Sequence, residues 1–397
     1  MVRVSFCVAA CALACTLQTN AQPAIPWPTT EWAVQVPENV GLLSAPFEKL
    51  HQDVLSGTYG NIDRILVVRR GYLVVDRYYD RDYETISAGH VGALGCGYES
   101  CDGGREADPY NYYHPSSHPY FRGRDVHSLQ SITKSIAALV VGTAIMRGKI
   151  DSLDAPLLSF FSEYDDVNPR LRSATLRHLL TMQTGIEWHE QDRPLDETNT
   201  TLQLERSEDW IRFTLEQPMD AAPGEKWAYN SGGSHLMSGV VHHATGVTID
   251  MWADEHLFRP LGIRDWHWKT TPTGLPDTEG GLYLEAADLA KIGYLVLREG
   301  MWNGEPILDR SFVHAATARQ IESVNRRGWG YGFQWWRVDT DETVVWAGLG
   351  FGGQYLLILP NHDLIGVVNA WNVFGERTEP VMPAFLNTLL AATGQEE

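Results

Sequence analysis

Ser131-Ile132-Thr133-Lys134-Ser135-Ile136-Ala137-Ala138-Leu139-Val140-Val141-Gly142-Thr143-Ala144-Ile145-Met146-Arg147, closed by Gly148, carries apolar side chains on nearly every face. A helix of that kind is buried on all sides at the centre of a large domain. On its N-terminal side, Ile65 to Arg69 and Tyr72 to Tyr79 flank Arg70-Gly71 and predict a hairpin of two strands. On its C-terminal side, Leu176 to Gly300 is mostly helical pattern, broken at Pro223-Gly224 and Pro260-Leu261-Gly262. Strand signals return at Tyr331 to Val338, Thr343 to Trp346, Gln354 to Leu359 and Leu364 to Trp371, with a turn over Pro360 to Asp363. Strands at both ends with helices between them predict an α+β fold, in which the chain ends share one antiparallel sheet and the middle forms a helical layer or lobe. A helix over about Met382 to Ala392 closes the chain.

The 397 residues, 44% apolar, suffice for a substantial core. With 50 acidic and 31 basic side chains the formal charge is −19, which repels phosphate backbones and argues against a nucleic-acid partner. Arg3, the apolar run Val4 to Leu17 and the small exit Thr19-Asn20-Ala21 read as a signal peptide over 1–21, too short to span a bilayer. Export to a periplasm or the medium is therefore expected, with a lipid anchor at Cys11 or Cys15 as the alternative. The signal takes Cys7, Cys11 and Cys15 with it. Cys96 and Cys101 remain, either as one disulfide closing a small loop or as two free thiols. The expected organisation is a leader and short helix over 22–60, a main domain over 61–380 with an insert at 87–124 and a helical lobe at about 155–300, and a terminal helix and tail over 381–397.

Ser131 and Lys134 stand three residues apart at the start of the buried helix, so they share a face and the amine can take the hydroxyl's proton. The helix N-terminus also offers the Ser131 N–H to a developing oxyanion. A lysine there is costly unless it is paired or its pKa is lowered by burial; the alternative is a capping serine and a snorkelling lysine. Trp227-Ala228-Tyr229-Asn230-Ser231-Gly232-Gly233 follows a Pro-Gly turn and precedes a helix ending at Gly246, which puts the Tyr229 phenol on a tight loop suited to relaying protons. Trp346-Ala347-Gly348-Leu349-Gly350-Phe351-Gly352-Gly353 also fits G-x-G-x-x-G. A strand follows it where dinucleotide binding requires a helix, so its glycines are read as admitting a substrate close to the backbone. The absence of G-x-S-x-G and H-E-x-x-H removes the α/β-hydrolase and zincin readings.

With these motifs in this order the chain resembles the serine β-lactamase and penicillin-binding-protein superfamily, in particular its class C-like esterases, D-aminopeptidases and 6-aminohexanoate-oligomer hydrolases. The resemblance runs from about Asp63 to Trp371 and includes Thr175 to Gly185, Pro223-Gly224-Glu225 and Phe258 to Gly262. It implies a β-lactamase/transpeptidase-like fold, with Ser131 as the acylated nucleophile, Lys134 as its proton acceptor and Tyr229 as partner acid/base. It further implies an oxyanion hole from the N–H groups of Ser131 and Leu349, with Ser231, Trp346 and Gly348 contacting substrate. Two positions depart from the family: Ser231 stands where Y-x-N has its amide, and Trp346 replaces the Lys or His of K-T-G and H-x-G. An indole offers no cation to a β-lactam carboxylate, which turns the expectation away from antibiotics.

Between Glu187 and Asp209 eight acidic residues, Glu190, Asp192 and Glu205 among them, accompany only Arg193 and Arg206. They read either as a solvated face or as a site for a substrate ammonium group. The insert gathers Tyr110, Tyr112, Tyr113, Tyr120 and Phe121, a candidate aromatic rim; His114 and His118 have a ligand-like spacing that Pro115 and Pro119 spoil. His235, His242 and His243 read as packing or surface residues. The expected function is an exported serine hydrolase of small or oligomeric esters or amides, needing no metal or organic cofactor. A β-lactamase or D-amino-acid peptidase on cell-wall-like substrates, and an idle ligand-binding protein of the same fold, are the alternatives.

Overall fold

The β-branched and aromatic runs from the two chain ends do form one sheet. The computed structural model describes residues 26–82, 85–86, 125–164, 167–194, 196–322, 324, 328–341, 343–373 and 379–394. The expected signal over 1–21, the 87–124 insert with His114 and His118, and the Cys96 and Cys101 pair lie outside them. Among the described residues no helix is long and apolar enough to cross a membrane.

The strands are β1 (Ala33–Val34), β2 (Ile62–Arg69), β3 (Tyr72–Tyr78), β4 (His127–Ser128), β5 (Trp266–Trp268), β6 (Leu282–Leu284), β7 (Met301–Trp302), β8 (Glu305–Pro306), β9 (Gly330–Tyr331), β10 (Trp336–Asp339), β11 (Val344–Gly350), β12 (Gln354–Leu359) and β13 (Leu364–Ala370). Eight of them make the main sheet in the order β1-β3-β2-β13-β12-β11-β10-β9. Every pair in it is antiparallel except β1 with β3. The first and last strand blocks meet at β2 and β13, through a ladder running from Leu364 opposite Arg69 to Ala370 opposite Ile62.

The main helices are α1 (Ala45–Leu55), α2 (Ile132–Met146), α3 (Leu176–Leu180), α4 (Thr200–Glu205), α5 (Trp210–Glu216), α6 (Ser231–Thr245), α7 (Ile249–Ala253), α8 (Ala286–Leu297), α9 (Arg310–Thr317) and α10 (Val381–Ala392). On one sheet face, α1 and α10 pack through Phe47, Leu50, Phe385 and Leu389. On the other lie α2, α8 and the lobe, with Ile136, Leu139, Val140 and Leu289 in one continuous core. The layers are thus helix, sheet, helix, as the β-lactamase/transpeptidase-like arrangement requires. α2 is buried from Ile132 through Ala144, as its all-round apolar sequence demands.

Three features differ from the sequence expectation. The strand expected over Tyr331 to Val338 is divided into β9 and β10 by a turn at the left-handed Gln334. The Trp346 to Gly350 stretch is not a loop between strands but the end of β11, and the turn begins at Phe351. A second small sheet, β4-β6-β5, joins the lead-in to α2 with residues near 266 and 284. Its strands are two or three residues long, too short for an alternation signal.

Gly366 on β13 is where the ring of Phe385 seats: a Cβ there would lie 2.6 Å from it. Phe385 is fully buried. Phe385→Ala should cost about 3–5 kcal/mol, read as a lowered urea midpoint at unchanged slope.

Candidate active site

Ser131 is placed by a strand, a strained residue and a helix start. β4 ends at Ser128, and Gln130 then takes the left-handed conformation at φ 49, uncommon for a residue with a Cβ. The chain turns sharply there, Ser131 takes the N-cap position of α2 without a side-chain capping bond, and the helix begins at Ile132. Ser131 stays partly exposed while the residues after it are buried. Its N–H donates to no group among the described residues, as expected at a helix start.

Lys134 is 1% exposed. Its Nζ donates to Ser131 Oγ at 2.8 Å, to the Glu279 carbonyl oxygen at 2.6 Å and to Glu279 Oε2 at 3.2 Å. The Tyr229 phenol lies close enough to the Ser131 side chain for that group to lower its pKa, and Lys134 Nζ lies 5.2 Å from the centre of the Tyr229 ring. The structure therefore brings Ser131, Lys134 and Tyr229 together. Of the two ways a lysine can be accommodated here, pairing or a pKa lowered by burial, the structure shows pairing. Burial does oppose the ammonium, but the surrounding Tyr229, Glu279 and Glu190 outweigh it and hold the Lys134 pKa above that of an ordinary lysine. Burial, aided by Glu190, raises the Tyr229 phenol, against the pull of Lys134 and the Ser131 side chain. Both groups hold their protons near neutral pH.

Tyr229 is fixed from several sides. Its ring stacks on Trp336 of β10 at 5.7 Å and 24°, and Trp227 and Tyr331 pack around the same indole. After it, Asn230 caps α6 by accepting from Gly233 N at 2.6 Å. Ser231, expected to take over an amide's substrate contact, is fully buried. Its N–H and hydroxyl both donate to Glu190, at 3.0 and 2.9 Å, and that carboxylate also accepts from Trp188 Nε1 at 3.1 Å. Ser231 thus anchors the tyrosine loop to the acidic segment.

β11 runs past the mouth of α2. Trp346, Gly348 and Gly350 alternate onto the face toward that helix. A Cβ at Gly348 would sit 3.1 Å from Ile132, and one at Gly350 would collide with the Leu129 carbonyl. The room at these glycines is taken by the Leu129–Ile132 segment that carries Ser131 rather than left open to a ligand. β10 ends with Trp336 opposite Ala347, so Leu349 lies beyond the last β10 partner, on the stretch of β11 left uncovered on that side. Trp346 is partly buried against the core. Arg337, opposite it on β10, is engaged with Asp339 and the Thr317 carbonyl.

The acidic stretch divides. Asp192, Glu197 and Glu208 are exposed, and Asp209 caps α5. Glu190 and Glu205 turn inward, where burial raises both carboxyls. By sequence Glu190 and Glu205 read only as part of an acidic stretch that is either solvated or a substrate-ammonium site, and Glu279 and Gln334 are not picked out. Glu190 and Glu205 sat inside the flagged acidic run, whereas Glu279 lies in an unremarkable turn sequence. His242 and His243 are exposed, and His235 is fully buried and pushed down to about 3 by that burial.

Gln334, left-handed at φ 61 and 1% exposed, ties the helices beneath the site. Its side chain accepts from Ser234 Oγ of α6 at 2.8 Å and donates to the Leu179 and Leu180 carbonyls of α3 at 3.1 and 3.2 Å. Its carbonyl accepts from Ser135 Oγ of α2 at 2.6 Å.

A family model described as Beta-lactamase matches residues 59–386. The chain is similar to the 6-aminohexanoate-dimer hydrolase of Paenarthrobacter ureafaciens, 25% identical over 277 residues that make up 63% of this chain and 68% of that one. It is also similar to esterase EstB of Burkholderia gladioli, 31% identical over 34% of this chain and 37% of the esterase. Among solved structures it is similar to EstCE1, a hydrolase with promiscuous acyltransferase activity. The TM-score there is 0.64 at 14% identity, covering 89% of this chain and 98% of that one. That last likeness is one of fold alone.

Gln334→Leu keeps the bulk but removes the donors to α3. Both carbonyls keep a backbone donor, Met182 N for Leu179 and Gln334 N for Leu180, so the loss should be about 0.5–1.5 kcal/mol for each side-chain hydrogen bond removed, measured as a fall in Tm.

Proposed function

The chain belongs to the beta-lactamase family of serine hydrolases, and from that premise we propose that it cleaves an ester or a linear amide through an acyl-enzyme on Ser131. The observation that carries the proposal is the convergence of Lys134 Nζ, 2.8 Å away, and the Tyr229 phenol on Ser131 Oγ. In this reading the Lys134–Tyr229 pair, after losing one proton, takes the serine's proton as Oγ attacks the substrate carbonyl. The oxyanion forms against the N–H groups of Ser131 and Leu349. Collapse breaks the bond to the alcohol or amine, which leaves with the proton returned by the same pair, and water then releases the acid by the reverse sequence. No step asks for a metal or organic cofactor.

Charge supports the substrate class. Among the described residues the charged groups near Ser131 are Lys134 with Glu279 and Glu190 near it, Trp346 carries no charge, and Arg337 is already paired. Such a site favours neutral or cationic acyl donors over the anionic carboxylate of a β-lactam. The similar 6-aminohexanoate-dimer hydrolase and esterase point to the same two bond types. Export through the 1–21 signal belongs to the proposal and is checked by N-terminal sequencing of the mature protein.

The test is the initial rate of purified protein on p-nitrophenyl butyrate, 6-aminohexanoate dimer and a chromogenic cephalosporin. The ester or the linear amide should turn over, Ser131→Ala should abolish that turnover, and the cephalosporin should be spared. Tyr229→Phe should lower kcat by about 10²–10⁴-fold, the contribution of a positioned acid/base. Because both Lys134 and Tyr229 hold their protons at neutral pH, kcat/KM should rise toward alkaline pH. Fast cephalosporin turnover would move the enzyme to the penicillin-recognising side, and absence of any labelling of Ser131 by a fluorophosphonate would favour an idle binding protein.

A further inference from the structure

The proton-handling lysine is surrounded by carboxyl groups that the chemistry above leaves without a task. An ammonium has three donors, and those of Lys134 are met by Ser131 Oγ, the Glu279 carbonyl oxygen and Glu279 Oε2. Two of the three partners thus come from one residue, 6% exposed itself. The Glu279 peptide is held in turn by Asp277, whose Oδ1 accepts from Glu279 N at 2.8 Å and Gly280 N at 3.2 Å. On its far side the Glu279 carboxyl is hydrogen bonded to Glu205, at the end of α4. Two ionised carboxylates cannot share a hydrogen bond, so a proton resides between them. Glu279 is the partner ion-paired with Lys134, at 3.2 Å, which leaves that proton to Glu205, whose carboxyl burial and the neighbouring Glu279 and Asp277 raise well above the usual carboxylate range.

The other groups facing this cluster are accounted for element by element. From the segment after α3 comes Glu190, bonded to Ser231. From the loop before α6 comes Tyr229, and from α6 itself His235, which is neutral. Lys134 is the cation that Glu279 faces.

We propose that Glu279 is a positioning residue for the nucleophile's proton acceptor: its carboxylate and carbonyl oxygen hold the Lys134 ammonium against Ser131, and Glu205, by carrying the shared proton, keeps that carboxylate ionised. The inference rests on the reading of Ser131 as nucleophile. A charge held at hydrogen-bond distance binds the last proton of the Lys134–Tyr229 pair more tightly. Removing it must therefore let the pair ionise at lower pH, whichever of the two groups loses the proton. A purely structural Glu279 would lower the rate without moving the ionisation.

The experiment follows phosphonylation of Ser131 in the full chain by a fluorophosphonate, using intact mass, from mildly acidic to alkaline pH. This single step needs no knowledge of the natural substrate. In Glu279→Gln the plateau rate should fall and the midpoint of the pH limb should move down by about one unit or more. In Glu279→Asp, which keeps the charge on a shorter arm, the plateau should fall with the midpoint near the wild-type value. In Glu205→Gln the amide donates to Glu279 and leaves it ionised, so the midpoint should stay or move up. A Glu279→Gln midpoint that stays in place overturns the inference. So does a downward shift in Glu205→Gln, which also decides the matter if Glu279→Gln fails to fold. Wild-type protein that is not labelled at Ser131 overturns the nucleophile reading itself, whereas labelling with an unmoved limb overturns this inference alone.

Discussion

A charged amine inside an apolar helix is the constraint around which this molecule is arranged. Taking an ammonium out of water costs far more than any single packing contact returns, so the interior must supply acceptors for all of its protons. Here Ser131 and Glu279 supply them, and Glu279 is carried to Lys134 by the turn that leads into β6. The small sheet β4-β6-β5 thus links two otherwise separate problems. β4 delivers the chain to Ser131, and β6, paired with it, fixes the segment that neutralises Lys134. Thr133 Oγ1 accepts from Leu282 N at 3.2 Å and ties the same strand to the first turn of α2.

Everything that approaches that first turn is shaped to come close. Gly348 lets β11 lie closely against Ile132, and at Gly350 any side chain would collide with the Leu129 carbonyl. Gln334 does the complementary work below, replacing what would be solvent contacts for α2, α3 and α6 with four protein hydrogen bonds. The strain at Gln130 and Gln334, both left-handed without being glycine, sits at the two sharp turns flanking this region. Strain of that kind persists only where surrounding contacts over-determine it, and each of these residues is buried and hydrogen bonded through its amide.

Much of this was legible in the chain. β12 and β13 begin at Gln354 and Leu364 as their apolar runs predict, and α2 starts at Ile132 with Ser131 at its N-cap position. These are long or strongly patterned segments, where periodicity speaks clearly. The second sheet was not legible, since pairs of two or three residues carry no period. Nor was the state of Lys134. Sequence locates a lysine on an apolar helix, but its charge depends on partners brought from positions 190, 229 and 279 by the fold. The acidic run from Glu187 to Asp209 posed one question with two answers: it is solvated at Asp192 and Glu208, yet it sends Glu190 and Glu205 inside, because α4 and the loop before it wrap the lobe.

The departures at Ser231 and Trp346 belong to one electrostatic arrangement. The serine at the third position of the tyrosine loop is fully buried and does not bond Lys134. It binds Glu190 instead, and Glu279 supplies Lys134 with its second side-chain partner. The site therefore holds more negative charge around its lysine than an amide would bring. A second cation at position 346 would face that charge across the mouth of α2 and pull anionic groups toward Ser131. Trp346 brings none, and its indole packs against the core while Arg337 beside it stays paired with Asp339. Among the described residues, negative charge lies below Ser131 and an uncharged strand beside it, so under the proposed reaction the carbonyl of a neutral or cationic substrate would approach Ser131 without an opposing field, whereas a carboxylate would meet no described partner to repay its desolvation.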